Sequence, residues 1–105
     1  LETGLWSIDM TNYRRGYMIE LKAKKQLEND GYYVTRSSGS HGIVDIFAVG
    51  ESDIKAIQLK RSKSAERSYF SEISALRSLK FPSNVSKELW VWLDCERCWK
   101  KFHVI

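Results

Sequence analysis

Leu89-Trp90-Val91-Trp92-Leu93 is apolar at every position. Side chains in a strand point alternately to opposite faces, so such a run has two apolar faces and needs cover on both. The 105 residues allow one domain of ordinary size. The expectation is a single sheet with helices above and below it.

The periodicity supplies those helices. Over 14–30, Ile19, Ala23 and Leu27 recur every four residues, with Lys22, Lys24, Lys25 and Glu28 elsewhere on the wheel. Gly31 stands where a helix ends. Residues 68–80 carry Phe70, Ile73, Leu76 and Leu79 near one face, and Pro82-Ser83-Asn84 breaks that pattern. Strands are predicted over 32–35, 43–49, 54–59, 89–93 and 98–105. The fold class is therefore α/β or α+β, a mixed β-sheet flanked by helices in the order α-β-β-β-α-β-β.

Composition narrows the function. A hydrophobic content of 43% with a single Pro suits a packed globule rather than a disordered tail. No apolar run reaches membrane-spanning length, and no basic-then-apolar leader opens the chain. Net charge is +4, and Lys60, Arg61, Lys63 and Arg67 cluster within eight residues against Glu66 alone. Such clustering suits a polyanion, nucleic acid above all. Met10-Thr11-Asn12 reads as a natural start. Residues 1–9 then read as a non-native or disordered segment, and 10–105 as the single domain. Without Glu2 and Asp9 the chain is more basic still.

Cys95 and Cys98 form one C-x-x-C with no second pair, and the spacing of His41 and His103 completes no zinc pattern. Glu96-Arg97 reads as a hairpin tip that could bring the sulfurs face to face across two strands. The pair is read as structural, either reduced or locally bridged.

Chemistry concentrates around Asp45. It interrupts an apolar strand, and the next strand ends in Gln58-Leu59-Lys60. Positions 58 and 60 share a face. A hairpin between the two strands would gather Asp45, Gln58 and Lys60 at one edge. Glu20, one position round from the apolar helix stripe, can look into the same place. Two carboxylates, an amide oxygen and an ammonium suit phosphodiester hydrolysis. Mg²⁺ takes hard oxygen ligands, polarises phosphate and acidifies water, and a Lys steadies developing charge.

Arg14-Arg15-Gly16, Glu20, Gly31-Tyr32, Arg36-Ser37-Ser38-Gly39-Ser40, Val44-Asp45-Ile46 and Ile57-Gln58-Leu59-Lys60 together resemble the PD-(D/E)xK nuclease superfamily. Within it the likeness is greatest to archaeal Holliday-junction resolvases, strongest over about residues 13–63. The resemblance implies a restriction-endonuclease-like fold and a metal-dependent endodeoxyribonuclease working on Mg²⁺, with Mn²⁺ able to substitute. It implies Glu20, Asp45, Gln58 and the Leu59 carbonyl as metal ligands, and Lys60 as the catalytic lysine. Arg14, Arg15, Arg36, Ser38 and Ser40 are implied as DNA contacts. The basic run adds Arg61 and Lys63. The implied partner is DNA in the form of a four-way junction, cut by a homodimer whose two sites match the junction's symmetry. Aromatic residues around Phe70, Trp90 and Trp99 could supply a dimer patch, with core the favoured reading for Trp90 and Trp92. The implied setting is cytoplasmic, in a microbe or encoded by a virus, with no membrane.

The sequence departs from the family at three places. Gln58 stands where an acid is usual, a Gln-x-Lys form resembling Mrr-type endonucleases that cut duplex DNA. Leu21 stands where a basic residue is common, and the loop from Gly39 to Asp45 is one residue longer. Two alternatives therefore remain open: a duplex or flap endonuclease of the same superfamily, and a non-catalytic DNA-binding module with the same fold.

Overall fold

The computed structural model describes residues 12–37, 42–64 and 66–105, with side chains from residue 16 onward. Residues 1–9, read as a non-native or disordered segment, lie outside it, as do Ser38, Ser40 and His41 and the side chains of Arg14 and Arg15.

The elements follow the expected order: α1 (Asn12–Asn29), β1 (Tyr33–Arg36), β2 (Ile46–Val49), β3 (Ile54–Ser62), α2 (Phe70–Ser78), β4 (Val85–Leu93) and β5 (Cys98–Val104). The five strands form one sheet in the order β1-β2-β3-β4-β5. β3 and β4 run parallel, joined through α2, and every other neighbouring pair is antiparallel. This is the mixed sheet expected, with an apolar cluster on each face.

Helix α1 lays Ile19, Ala23 and Leu27 on one face of the sheet against Val34, Ile46, Ala48, Ile57, Leu59 and Trp90. Its end is set by Gly31 at φ +94, a left-handed conformation that only glycine adopts without strain. There the Leu27 carbonyl accepts from the N–H groups of Asp30 and Tyr32, each at 3.0 Å. The opposite face packs Val44, Ala56, Leu89, Val91, Leu93 and Val104 against Tyr69 and Leu76 beside and within α2. The alternation expected of Leu89–Leu93 is therefore realised, with β4 covered on both sides.

Several expectations are corrected. Phe70 does not join the apolar stripe but is 77% exposed, because Tyr69, one residue earlier, takes the interior position at 4%. β3 runs to Ser62, where the Ser62 hydroxyl donates to the Ser64 carbonyl at 2.7 Å. β4 begins at Val85, four residues before the apolar run. It crosses Glu88, whose carboxylate accepts from Lys55 Nζ at 2.7 Å and from Trp90 Nε1 at 2.8 Å. Burial pushes the Glu88 carboxyl up, but these donors outweigh it and hold it below the usual carboxylate range.

Asp94 to Arg97 turn β4 into β5, and the Leu93 carbonyl accepts from Arg97 N at 2.7 Å. The expected hairpin tip is there, but the sulfurs do not face each other across it. Cys98 pairs with Leu93, and Cys95 lies within the turn. Both thiols are free and exposed. Trp90 is only 2% exposed and belongs to the core, the reading favoured for it over a place in a dimer patch.

Candidate active site

β2 and β3 pair as a hairpin with Ile46 opposite Ile57. Beyond that point β3 continues to Ser62 with β4 on one side only. Its other edge, from residue 58 onward, is left to what arrives from the loop before β2. Asp45 arrives there. Its N–H donates to the Ile57 carbonyl at 2.9 Å, so two consecutive residues, Asp45 and Ile46, meet the single residue Ile57. That is the count of a β-bulge, a device that re-aims a side chain. The Asp45 carboxylate then takes the next free donor on the edge, accepting from Leu59 N at 2.7 Å. In a strand, a residue's N–H and C=O point to the same side. The Leu59 carbonyl therefore faces the same open edge.

Glu20 and Lys60 bear on this carboxylate. Burial raises the proton affinity of Asp45 most, and the negative charge of Glu20 adds to it. The Leu59 hydrogen bond and the Lys60 ammonium work the other way, and the balance leaves the carboxyl above its ordinary value. Glu20 and Lys60 are thus near enough for their charges to act on Asp45.

Gln58 lies two residues from Lys60 on the same side of β3, opposite to Ile57 and Leu59. Its amide Oε1 is buried with no hydrogen-bond partner among the described residues. An unpaired buried acceptor costs about 1–3 kcal/mol. Among the described residues no three of His, Cys, Asp or Glu gather as a metal cluster. The edge offers the Asp45 carboxylate and the Leu59 carbonyl with Glu20 nearby, and the Gln58 amide oxygen lies on the same strand but on its other face. These fit a hard divalent cation rather than zinc or a redox metal.

The arginines have protein partners. Arg36 Nε donates to Glu20 Oε1 at 2.6 Å, and its guanidinium lies 5.5 Å from the Tyr17 ring centroid. Arg61 Nε reaches both Asp94 oxygens, at 2.9 and 3.1 Å. The Asp94 contact is one the sequence reasoning missed, since 33 residues separate the partners. Lys63 is exposed. Lys60, Arg61 and Lys63 line a cleft of about 330 Å³ with Gly16 and Ile19 of α1. The basic run therefore lies along a cleft that Leu59 and Lys60 also line, while Glu20, Asp45 and Gln58 are not among its lining residues. Tyr69 Oη is the other buried side-chain atom without a partner among the described residues, a feature with no signal in the sequence.

Among the described residues no helix is long and apolar enough to cross a membrane. A search of the curated proteins finds no match. Among solved structures, the chain is similar to Archaeoglobus fulgidus Hjc, a Holliday junction resolvase from an archaeal hyperthermophile. The TM-score is 0.66 at 22% identity, over 86% of this chain and 73% of that one. This is a likeness of fold, and it agrees with the sheet order and helix placement above. The model of the archaeal Holliday junction resolvase (Hjc) family matches residues 11–105, nearly the whole chain. The chain belongs to the archaeal Holliday junction resolvase family.

Proposed function

We propose that this chain is a divalent-metal-dependent endodeoxyribonuclease that resolves four-way DNA junctions as a homodimer. Family membership supports the substrate class. The observation that carries the chemistry is the buried, unpartnered Gln58 Oε1 on the strand whose Leu59 N–H holds Asp45.

Glu20, Asp45, the Gln58 amide oxygen and the Leu59 carbonyl would hold the cation, with Mg²⁺ the natural occupant and Mn²⁺ a substitute. When bound, it supplies a polarised phosphate and a more acidic water. The protein's own groups do the rest. Asp45, held by the Leu59 N–H, presents its second oxygen in a fixed direction. Lys60 Nζ orients the attacking water and balances the charge that develops on the phosphoryl oxygens. Arg36, paired with Glu20, becomes available to phosphate once Glu20 is engaged elsewhere. Lys63 and Arg61 border the path of the strand and contact its phosphates without reading sequence. Arg14, Arg15, Ser38 and Ser40 are proposed as further contacts from the family likeness.

Two identical sites on a twofold axis suit a junction whose two strands must be cut symmetrically. Exposed Phe70 and Phe81 offer apolar surface for such a dimer. A supercoiled plasmid extruding a cruciform tests the reading. Paired cuts by a dimer convert it to linear DNA. Nicked circles alone would contradict the dimeric resolvase, and no cutting with either metal would favour a DNA-binding module.

A further inference from the structure

The cleft beside Lys60 does not end there. It shares Arg61 and Asp94 with a second depression, which in turn shares Lys22, Trp92 and Arg97 with a third of about 680 Å³. The three abut and form one trough beneath α1. Its floor is a row across three strands, since Arg61 pairs with Trp92 and Trp92 with Trp99. Two inter-strand steps make that row about 10 Å long. A nucleic-acid strand of two to three nucleotides spans about the same distance.

The two distal depressions carry five cations: Arg61, Lys22, Lys25, Arg97 and Lys101. Their one carboxylate is Asp94, already paired with Arg61. Trp92 and Trp99 meet edge to face, 5.2 Å between centroids, and both are only partly buried. Lys22 Nζ stands 4.8 Å from the Trp92 centroid, and Lys101 Nζ 4.0 Å from that of Trp90. Cations ranged along a channel with aromatic rings at its floor are what an unpaired strand requires. Phosphates meet the ammonium groups, and free bases lie against the rings. Paired bases of a duplex arm are stacked within the helix and do not offer their faces to the rings.

We propose that this trough binds an unpaired DNA strand leaving the catalytic cleft at an open branch point. The inference rests on the DNA-cleaving reading of the Asp45 edge. It adds a second binding surface, on the side of the sheet that carries α1 and away from α2.

Consecutive residues of β5 provide the matched test. Lys101 faces the trough, whereas Lys100 lies over the Phe102 ring on the other face, 5.4 Å from its centroid. Arg97→Asn with Lys101→Ala removes two trough cations, Asn being suited to the positive φ of 51 at residue 97. Lys80→Ala with Lys100→Ala removes two cations from the α2 side. Oligo(dT) titrated into the wild-type protein should quench tryptophan fluorescence saturably. The trough variant should bind at least roughly tenfold more weakly, with a salt slope flatter by about 1.4. The Lys80/Lys100 variant should bind oligo(dT) like the wild type. Should the turn variant fail to fold, Lys25→Ala on the helical wall should still weaken binding and quenching. Equal binding by the two double variants overturns the inference, as does duplex binding that depends on Arg97 and Lys101 without any oligo(dT) quench. A wild-type protein that nicks junctions but ignores oligo(dT) sinks the trough alone. One that neither binds nor cuts any DNA sinks the catalytic reading with it.

Discussion

Asp45 accepts a 2.7 Å hydrogen bond from the main-chain N–H of Leu59, so a carboxylate side chain stands where a neighbouring strand would otherwise donate and accept. This single contact terminates the β2–β3 ladder, opens the edge of β3 and fixes the direction of the acid. It also sets an energetic conflict. Burial and Glu20 both disfavour the ionised form of Asp45, and one N–H and Lys60 only partly relieve it.

That conflict predicts a stability gain on its removal. Because the folded state raises the proton affinity of Asp45 above its unfolded value, its contribution is fully present below the ordinary aspartate pKa. The contribution is lost as pH rises through the raised folded value. At neutral pH the metal-free Asp45→Asn protein should therefore melt above the wild type, since Asn keeps an acceptor for Leu59 N. The gap should close on acidification. Mg²⁺ should raise the Tm of the wild type and leave that of Asp45→Asn almost unmoved. Thermal melts across pH, with and without Mg²⁺, check this. A metal-free Asp45→Asn protein that melts lower at pH 7 would be inconsistent with the account.

Gln58→Glu restores an acid at the buried, unpartnered position. Calorimetric titration should show Mg²⁺ bound roughly tenfold more tightly, about 1.4 kcal/mol. Unchanged affinity would remove Gln58 from the proposed metal ligands.

Lys60→Ala should lower the single-turnover cleavage rate by roughly 10²–10³, the usual loss for a group that stabilises transition-state charge. Metal affinity, read by the same calorimetry, should change little. Normal cleavage would reassign the lysine.

Arg36 competes with a cation for Glu20 through the 2.6 Å contact between them. Arg36→Ala should tighten Mg²⁺ binding while weakening junction binding. A loss of metal affinity would mean that Arg36 positions Glu20 rather than competing for it.

Much of this was legible in the sequence for physical reasons. Ile19, Ala23 and Leu27 gave α1 its face, Gly31 its end, and the unbroken Leu89–Leu93 run announced cover on two sides. Asp45 stood out because an acid in an apolar strand needs a purpose. What escaped depends on distant partners. Glu88 reads as a surface residue until Lys55 and Trp90 neutralise it, which is why the start of β4 was missed. Arg61 reads as free until Asp94 arrives across the sheet. Phe70 reads as core because helical spacing cannot tell which of two adjacent aromatics turns inward. The bulge at Asp45 is a matter of hydrogen-bond count, which residue types do not encode.

Glu88→Ala tests the buried pair itself. It leaves Lys55 Nζ and Trp90 Nε1 without their acceptor at positions that water reaches poorly. The expected loss is about 2 kcal/mol, or a Tm lower by on the order of 10 °C. Part of the wild type's stability should likewise vanish as pH falls through the lowered pKa of Glu88. A neutral substitution would show that the pair merely offsets its own desolvation.

The most direct test of the central claim is a cleavage assay on an end-labelled four-way junction, with linear duplex and single strand of matching sequence alongside. Each is incubated with Mg²⁺, Mn²⁺ or EDTA, and with Asp45→Ala as the control. The account predicts paired symmetric nicks in the junction under either metal, none with EDTA, and none from the variant. Cutting that persists in EDTA or in Asp45→Ala, or that falls equally on linear duplex, would contradict it.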